Sequence, residues 1–155
     1  MPDKVADISI GNLQPGDEWL VHRLWERANS QSQGSIGGHT WGVRSLGRHI
    51  DRDPSLALWK GGDLCAVILY RKQGELVEID LLATDPNHQN QGKMLALFQE
   101  LIKKNQDVNE IWLELHESNT SALAFYQKVG FQKVGERKDY YGKGETAYLL
   151  SLTLS

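Results

Sequence analysis

The chain has 155 residues, enough for one sizeable core but not for two ordinary domains, and it is 40% hydrophobic with five tryptophans to fill that core. A net charge of -3, from 20 acidic and 17 basic residues with no long basic run, argues against nucleic acid as the main ligand. The single cysteine, Cys65, excludes an internal disulfide and reads as a small buried apolar residue.

The opening Met1-Pro2-Asp3-Lys4 lacks the pattern of a signal peptide, and no apolar run reaches the length of a membrane span. A soluble, cytoplasmic protein with no membrane partner is the expectation. Val5 to Ile10 alternates as a strand, and Pro15-Gly16-Asp17 turns the chain into an amphipathic helix whose apolar face is Leu20, Val21, Leu24, Trp25 and Ala28. The Ser/Gln/Gly-rich stretch from Ser30 to Gly38 reads as a mobile loop. Val43, Leu46 and Ile50 suggest a short second helix that stops before Asp53-Pro54, where the residue preceding proline disfavours helical torsions.

Leu56 to Trp59 and Leu64 to Arg71 read as strands joined by the turn Lys60-Gly61-Gly62-Asp63, and Leu76 to Thr84 as the next strand. After Asp85-Pro86 a third helix carries Leu95, Phe98, Leu101 and Ile102 on one face and ends in Lys103-Lys104. Ile111 to His116 alternates cleanly, with Ile111, Leu113 and Leu115 on one face and Trp112, Glu114 and His116 on the other. Ser118 or Asn119 caps a fourth helix ending at Gly130, and Phe131 to Val134 and Thr146 to Leu154 close the domain as strands. The sum is one domain over residues 1–155 of the α/β (α+β) class, a mixed sheet of about six to seven strands with helices on both faces.

Chemistry concentrates in Leu82-Ala83-Thr84-Asp85-Pro86-Asn87-His88-Gln89-Asn90-Gln91-Gly92-Lys93, a strand end, a tight turn and a helix start. Unpaired helix N–H groups beside a glycine suit phosphate oxygens, although Gly92 could equally serve the turn alone. On the Ile111–His116 strand, Glu114 shares a face with Trp112 and His116, so it is either a base in a partly apolar cleft or an exposed glutamate in an ion pair. Tyr126 lies about two helical turns beyond the Asn119 cap and is either a proton donor or a packing residue. Glu78 and Asp80 share a strand face and are reserve bases. His116 has no partners at metal-ligand spacing, so no metal is expected.

The segment around Gln89 and Gly92 resembles the pyrophosphate-binding motif of GNAT acetyltransferases, Gln/Arg-x-x-Gly-x-Gly/Ala. Ser118-Asn119 and Tyr126 to Gly130-Phe131 resemble that superfamily's later motif. The run from Trp112 to Asn119, with Ala124-Phe125-Tyr126 and Asp139-Tyr140-Tyr141, is most similar to bacterial ribosomal-protein-alanine N-acetyltransferases. The resemblance implies a GNAT fold and transfer of acetyl from acetyl-CoA, with no metal, to a primary amine. It implies Glu114 as base and Tyr126 as acid. It also implies cofactor contacts from Leu82, Ala83, Thr84, Gln89, Asn90, Gln91, Gly92, Lys93, Met94, Leu95, Asn119 and Tyr126, with the backbone of 82–84 taking the pantetheine like an added strand. Met94 and Asn90 depart from the motif, which predicts altered cofactor affinity, and Lys93 either restores positive charge there or sits solvated.

Tyr140 and Tyr141 are expected to bind the acceptor, which the Arg137–Gly142 segment and the Ser30–Trp41 loop would clasp. The acceptor implied is a protein N-terminal α-amine, with a polyamine, amino acid or antibiotic as the alternative. A non-catalytic acyl-CoA sensor is the alternative of another class. A monomer or weak homodimer is expected.

Overall fold

The computed structural model describes residues 7–30, 35–36 and 41–154; of Asn29, Ser30, Ser35, Ile36 and Tyr141 the backbone alone is described. The strands are β1 (Ile8–Gly11), β2 (Ser35–Ile36), β3 (Ser55–Lys60), β4 (Asp63–Gln73), β5 (Leu76–Thr84), β6 (Glu110–His116), β7 (Gln132–Gly142) and β8 (Glu145–Thr153). The helices are α1 (Glu18–Ser30), α2 (Val43–Arg52), α3 (Lys93–Lys104) and α4 (Thr120–Val129). The sheet runs β1-β3-β4-β5-β6-β8-β7, with β2 attached to β5. Among the described residues each strand pairing is antiparallel except that of β5 with β6.

The first two helices begin where local hydrogen bonds turn the chain into them. Asp17 accepts the Gln14 N–H at 2.8 Å and offers its carbonyl to Val21, so α1 starts directly after the Pro15-Gly16 turn. The Ser45 hydroxyl accepts the Gly42 N–H at 3.0 Å to open α2. Val21, Leu24, Trp25, Ala28, Leu46 and Ile50 then bury one face against Ala57, Val67, Leu69, Leu81 and Ala83 of the sheet. On the other face Leu97, Phe98, Leu101 and Tyr126 pack with Leu58, Ile68, Val77, Ile111, Leu113 and Leu150. Complete burial of each large apolar side chain is worth about 1.5–3 kcal/mol, so these two layers carry the stability.

The register of β5 creates the site. Leu81 pairs with Leu69 of β4, but Ile79 pairs with Tyr70, which leaves Asp80 as one extra residue on β5. Such a bulge increases local twist and reverses which residues face which side. Val77 and Ile79 accordingly lie in the α3/α4 core, whereas Leu81 and Ala83 lie in the α1/α2 core. Close to the bulge the parallel pairing of β5 with β6 ends, its last pair being Glu78 with Trp112. Beyond that point the two strands splay, and β6 continues to His116 bonded on its other side to β8.

Two expectations change. The strand expected over Phe131–Val134 runs from Gln132 to Gly142, so the Arg137–Gly142 segment is part of β7. Within the stretch expected to be a mobile loop, Ser35 and Ile36 pair with Ala83 and Leu82 as a short strand; the rest of that loop, like Val5 and Ala6 of the first expected strand, lies outside the described residues. The mixed sheet holds seven strands in its main path, with β2 added. Among the described residues no helix is long and apolar enough to cross a membrane.

Candidate active site

From Thr84 the chain makes a single 3-10 turn over Pro86–His88, capped by Asp85, whose carboxylate accepts the Asn87 N–H at 2.9 Å. Asn90 and Gly92 both take left-handed torsions, with φ of 60° and 76°. Gln89 donates to the Thr84 carbonyl at 3.4 Å and Gln91 to that of Asn87 at 3.3 Å, so these amides pin the turn from within. Gly92 caps α3 with no side-chain acceptor, and a Cβ added there would meet nothing within 4 Å. The first-turn N–H groups of α3 therefore lack a side-chain cap and border open space, the arrangement that accepts phosphate oxygens.

That space is a cavity of about 290 Å³. Of the residues expected to touch the cofactor, Leu82, Thr84, Gln89, Asn90, Gly92, Lys93, Met94, Leu95 and Tyr126 line it, and Ala83, Gln91 and Asn119 do not. His88, Ser121, Ala122 and Phe125 line it too and escaped the sequence reading. The signal was available for α4, where residues 121, 122, 125 and 126 follow the spacing of one helical face. Asn119 serves as the cap of α4, accepting the Ala122 N–H at 3.4 Å.

Lys93 is only 7% exposed, and its ammonium donates to the Gln91 side-chain oxygen without an ion pair among the described residues. A buried cation lacking a counter-charge is costly, so an anion entering the cavity gains a waiting partner. The same ammonium partly offsets the burial that raises the Cys65 thiol above its usual range. Met94 is buried in the α3/α4 core while also touching the cavity. These features fit a pyrophosphate: open backbone donors, a left-handed glycine and one buried ammonium.

Tyr126 is 3% exposed and sits edge-on to Phe98, Phe125 and Phe131, with ring centroids 5.2–6.0 Å away. Burial pushes its phenol well above the ordinary tyrosine range. Tyr126 shares the cavity lining with Leu82 and Thr84 of β5 and lies in the α3/α4 core.

Glu114 occupies the opposite face. In β6, Ile111, Leu113 and Leu115 are buried in the α3/α4 core while Trp112, Glu114 and His116 are half-buried on the other side. Arg137 of β7 holds one Glu114 oxygen at 3.3 Å, and its guanidinium lies 5.5 Å from the centre of the Tyr140 ring. Burial, then the charge of Glu114 and a hydrogen bond to it, raise the Tyr140 phenol. The Tyr140 hydroxyl thus donates to Glu114. The side chain of Tyr141 lies outside the described residues, as does most of the Ser30–Trp41 loop.

The reserve bases are otherwise engaged. Arg71 donates to both Asp80 oxygens, at 2.8 and 2.9 Å, and to Glu78 at 2.8 Å. His116 accepts the Ser118 N–H at Nδ1, 3.1 Å away, which places its proton on Nε2 facing Glu145 at 3.6 Å. Among the described residues no group of histidine, cysteine and carboxylate side chains is arranged to hold a metal.

Comparison with known proteins adds to this geometry. Residues 17–131 match the acetyltransferase (GNAT) family. The chain is 36% identical over 154 residues to the [ribosomal protein bS18]-alanine N-acetyltransferase of Escherichia coli K12, spanning 95% of this chain and 98% of that one. It is 36% identical over 150 residues to the N-alpha-acetyltransferase RimI of Mycobacterium tuberculosis, with coverage of 92% and 90%. The crystal structure of the ribosomal-protein-S18-alanine N-acetyltransferase from Escherichia coli superposes with a TM-score of 0.82 at 24% identity, covering 96% of this chain and 95% of that chain.

Proposed function

The chain belongs to the acetyltransferase (GNAT) family and is an acyl-CoA-dependent N-acetyltransferase, and from that premise we propose that its acceptor is the N-terminal α-amine of a protein, such as a ribosomal protein. The observation that carries this reading is Glu114 at the splayed strands, accessible from the α1/α2 side and flanked by Tyr140, with Tyr126 on the other side. The relatives' names support a protein terminus as acceptor. A small cationic amine calls for free carboxylates, yet Glu78 and Asp80 are taken up by Arg71.

Acetyl-CoA, when bound, supplies an acyl carbonyl activated by a good leaving group. On the chain's side, the α3 N–H groups and Lys93 hold the pyrophosphate. The pantetheine is expected along the β5 edge at Leu82, Ala83 and Thr84, where β2 is paired in this structure, so its arrival displaces Ser35 and Ile36 from that edge. A β5 N–H freed there is suited to the charge that develops on the acyl oxygen.

An α-amine with a pKa near about 8 arrives mostly as an ammonium. Glu114 accepts its proton, and the neutral nitrogen attacks the carbonyl from the α1/α2 side. Tyr126 faces the departing sulfur. Its phenol is protonated at every working pH, but full transfer to a thiolate with a pKa of about 8.5 is uphill for so weak an acid. Tyr126 therefore acts chiefly as a hydrogen-bond donor that lowers the charge on sulfur; the second proton, shed by the nitrogen as the intermediate collapses, passes to the departing sulfur, and the net proton leaves through Glu114.

Free-thiol release from acetyl-CoA, measured against peptides with different N-terminal residues and a panel of small amines, tests the reading. Turnover on peptides supports it; turnover on small amines alone reassigns the acceptor.

A further inference from the structure

Glu114 already carries a cation before any acceptor arrives. Arg137 touches one oxygen at 3.3 Å and is itself 54% exposed, a single-point contact open to solvent. Arg71, by contrast, takes both oxygens of Asp80 at 2.8 and 2.9 Å in a fixed fork. An exposed one-point pair is worth only about 0–1 kcal/mol, little enough for another cation to replace it.

The backbone around Arg137 allows such an exchange. Arg137 is the last residue of β7 paired to β8 before the register breaks: it opposes Ala147, and pairing resumes only at Gly142 with Glu145. Asp139 takes a left-handed φ of 57° within that break and accepts the Gly144 N–H at 2.6 Å, which fixes a bulge. The bulge turns Tyr140 toward Glu114, and a bulge of this kind commonly re-aims side chains beside an active site. Tyr140 and Arg137 thus reach the same carboxylate from the two sides of one irregularity.

We propose that Arg137 is a positioning residue that occupies the ammonium subsite of Glu114 in the resting enzyme and is exchanged for the acceptor's α-ammonium on binding. Tyr140 stays on the carboxylate and keeps it oriented while Arg137 turns to solvent. The ammonium gives one proton to Glu114, the nitrogen sheds a second to the departing thiolate as the intermediate collapses, and the neutral amide that results no longer competes for the carboxylate. Glu114 then returns the proton to water and Arg137 pairs with it again. The inference rests on Glu114 being the base.

Steady-state kinetics with an alanine-terminated peptide test it, with calorimetric CoA binding as the check on folding. In Arg137→Gln the acceptor KM falls about two- to five-fold, the scale of an exposed ion pair, because the peptide no longer competes with a resident cation. The kcat/KM rises by a similar factor, because Arg137 has already left Glu114 when the chemistry occurs, and Arg137→Lys restores both. Peptide binding to CoA-loaded Glu114→Gln, measured by calorimetry, becomes insensitive to Arg137→Gln. A KM that rises or stays unchanged in Arg137→Gln, or a gain in peptide affinity that persists in the Glu114→Gln background, overturns the exchange. Full kcat in Glu114→Gln overturns the base assignment instead.

Discussion

Arg71 grips Asp80 through both carboxylate oxygens, and Asp80 is the one residue that β5 carries in excess of β4. The ion pair thereby holds the irregularity at which β5 leaves β6. The group is partly solvated, so its worth is that of a well-formed surface pair and not of a buried one. Asp80→Asn is expected to lower unfolding stability by about 1 kcal/mol in urea while leaving the acid limb of the pH–rate profile in place. Disappearance of that limb would assign the base to Asp80.

Glu114→Gln removes the proton acceptor while keeping shape and the contact with Tyr140. The expected loss is about 10²- to 10⁴-fold in kcat/KM for the acceptor, with CoA affinity unchanged by calorimetry. A parallel loss of CoA affinity would make Glu114 a structural residue of the cofactor side.

For Tyr126 the direction of its pKa shift sets the pH dependence. Burial raises the phenol above its unfolded value of about 10, so the neutral form that donates to sulfur prevails throughout the assay range. Tyr126→Phe should therefore lower kcat by a constant factor, about ten-fold or more, from pH 6 to 9, with no change in curve shape. The stability that comes from burying the neutral ring is fully present below about pH 10 and lost above it. Alkaline unfolding shifted to higher pH in Tyr126→Phe is the second readout.

Lys93→Met keeps the stem and deletes the charge. CoA and acetyl-CoA should bind about ten-fold more weakly, a loss on the scale of one charge-assisted hydrogen bond, whereas pantetheine should lose little. The salt dependence of CoA binding should also flatten. Equal loss for pantetheine would mean that Lys93 supports the turn through Gln91 and does not meet the phosphates.

Much of this was legible locally. The α3 helix follows from its apolar spacing and terminal lysines, β6 from strict alternation, and α4 from Asn119 at one end and Gly130 at the other, where φ is 120°. What escaped depends on register between distant segments. The pairing of Arg71 with Asp80 requires the bulge that brings Glu78 and Asp80 beside β4, and no local pattern announces an extra residue. Arg137 meets Glu114 only because β8 lies between β7 and β6, an order that chain sequence does not reveal. The far half of β7 escaped because its charged and glycine residues lack a buried face, since it forms the edge of the sheet. Glu114 was read as either a base or an ion-paired strand residue; the structure gives it the ion pair with Arg137, and its role as base is the proposal that the variants above test.

Mass spectrometry of an alanine-terminated peptide that also contains lysine, incubated with acetyl-CoA and the enzyme, tests the acceptor and the base together. A single acetyl group on the α-amine is expected, lost in Glu114→Gln. Modification of the lysine side chain alone, or an unmodified peptide in the presence of bound CoA, would contradict it.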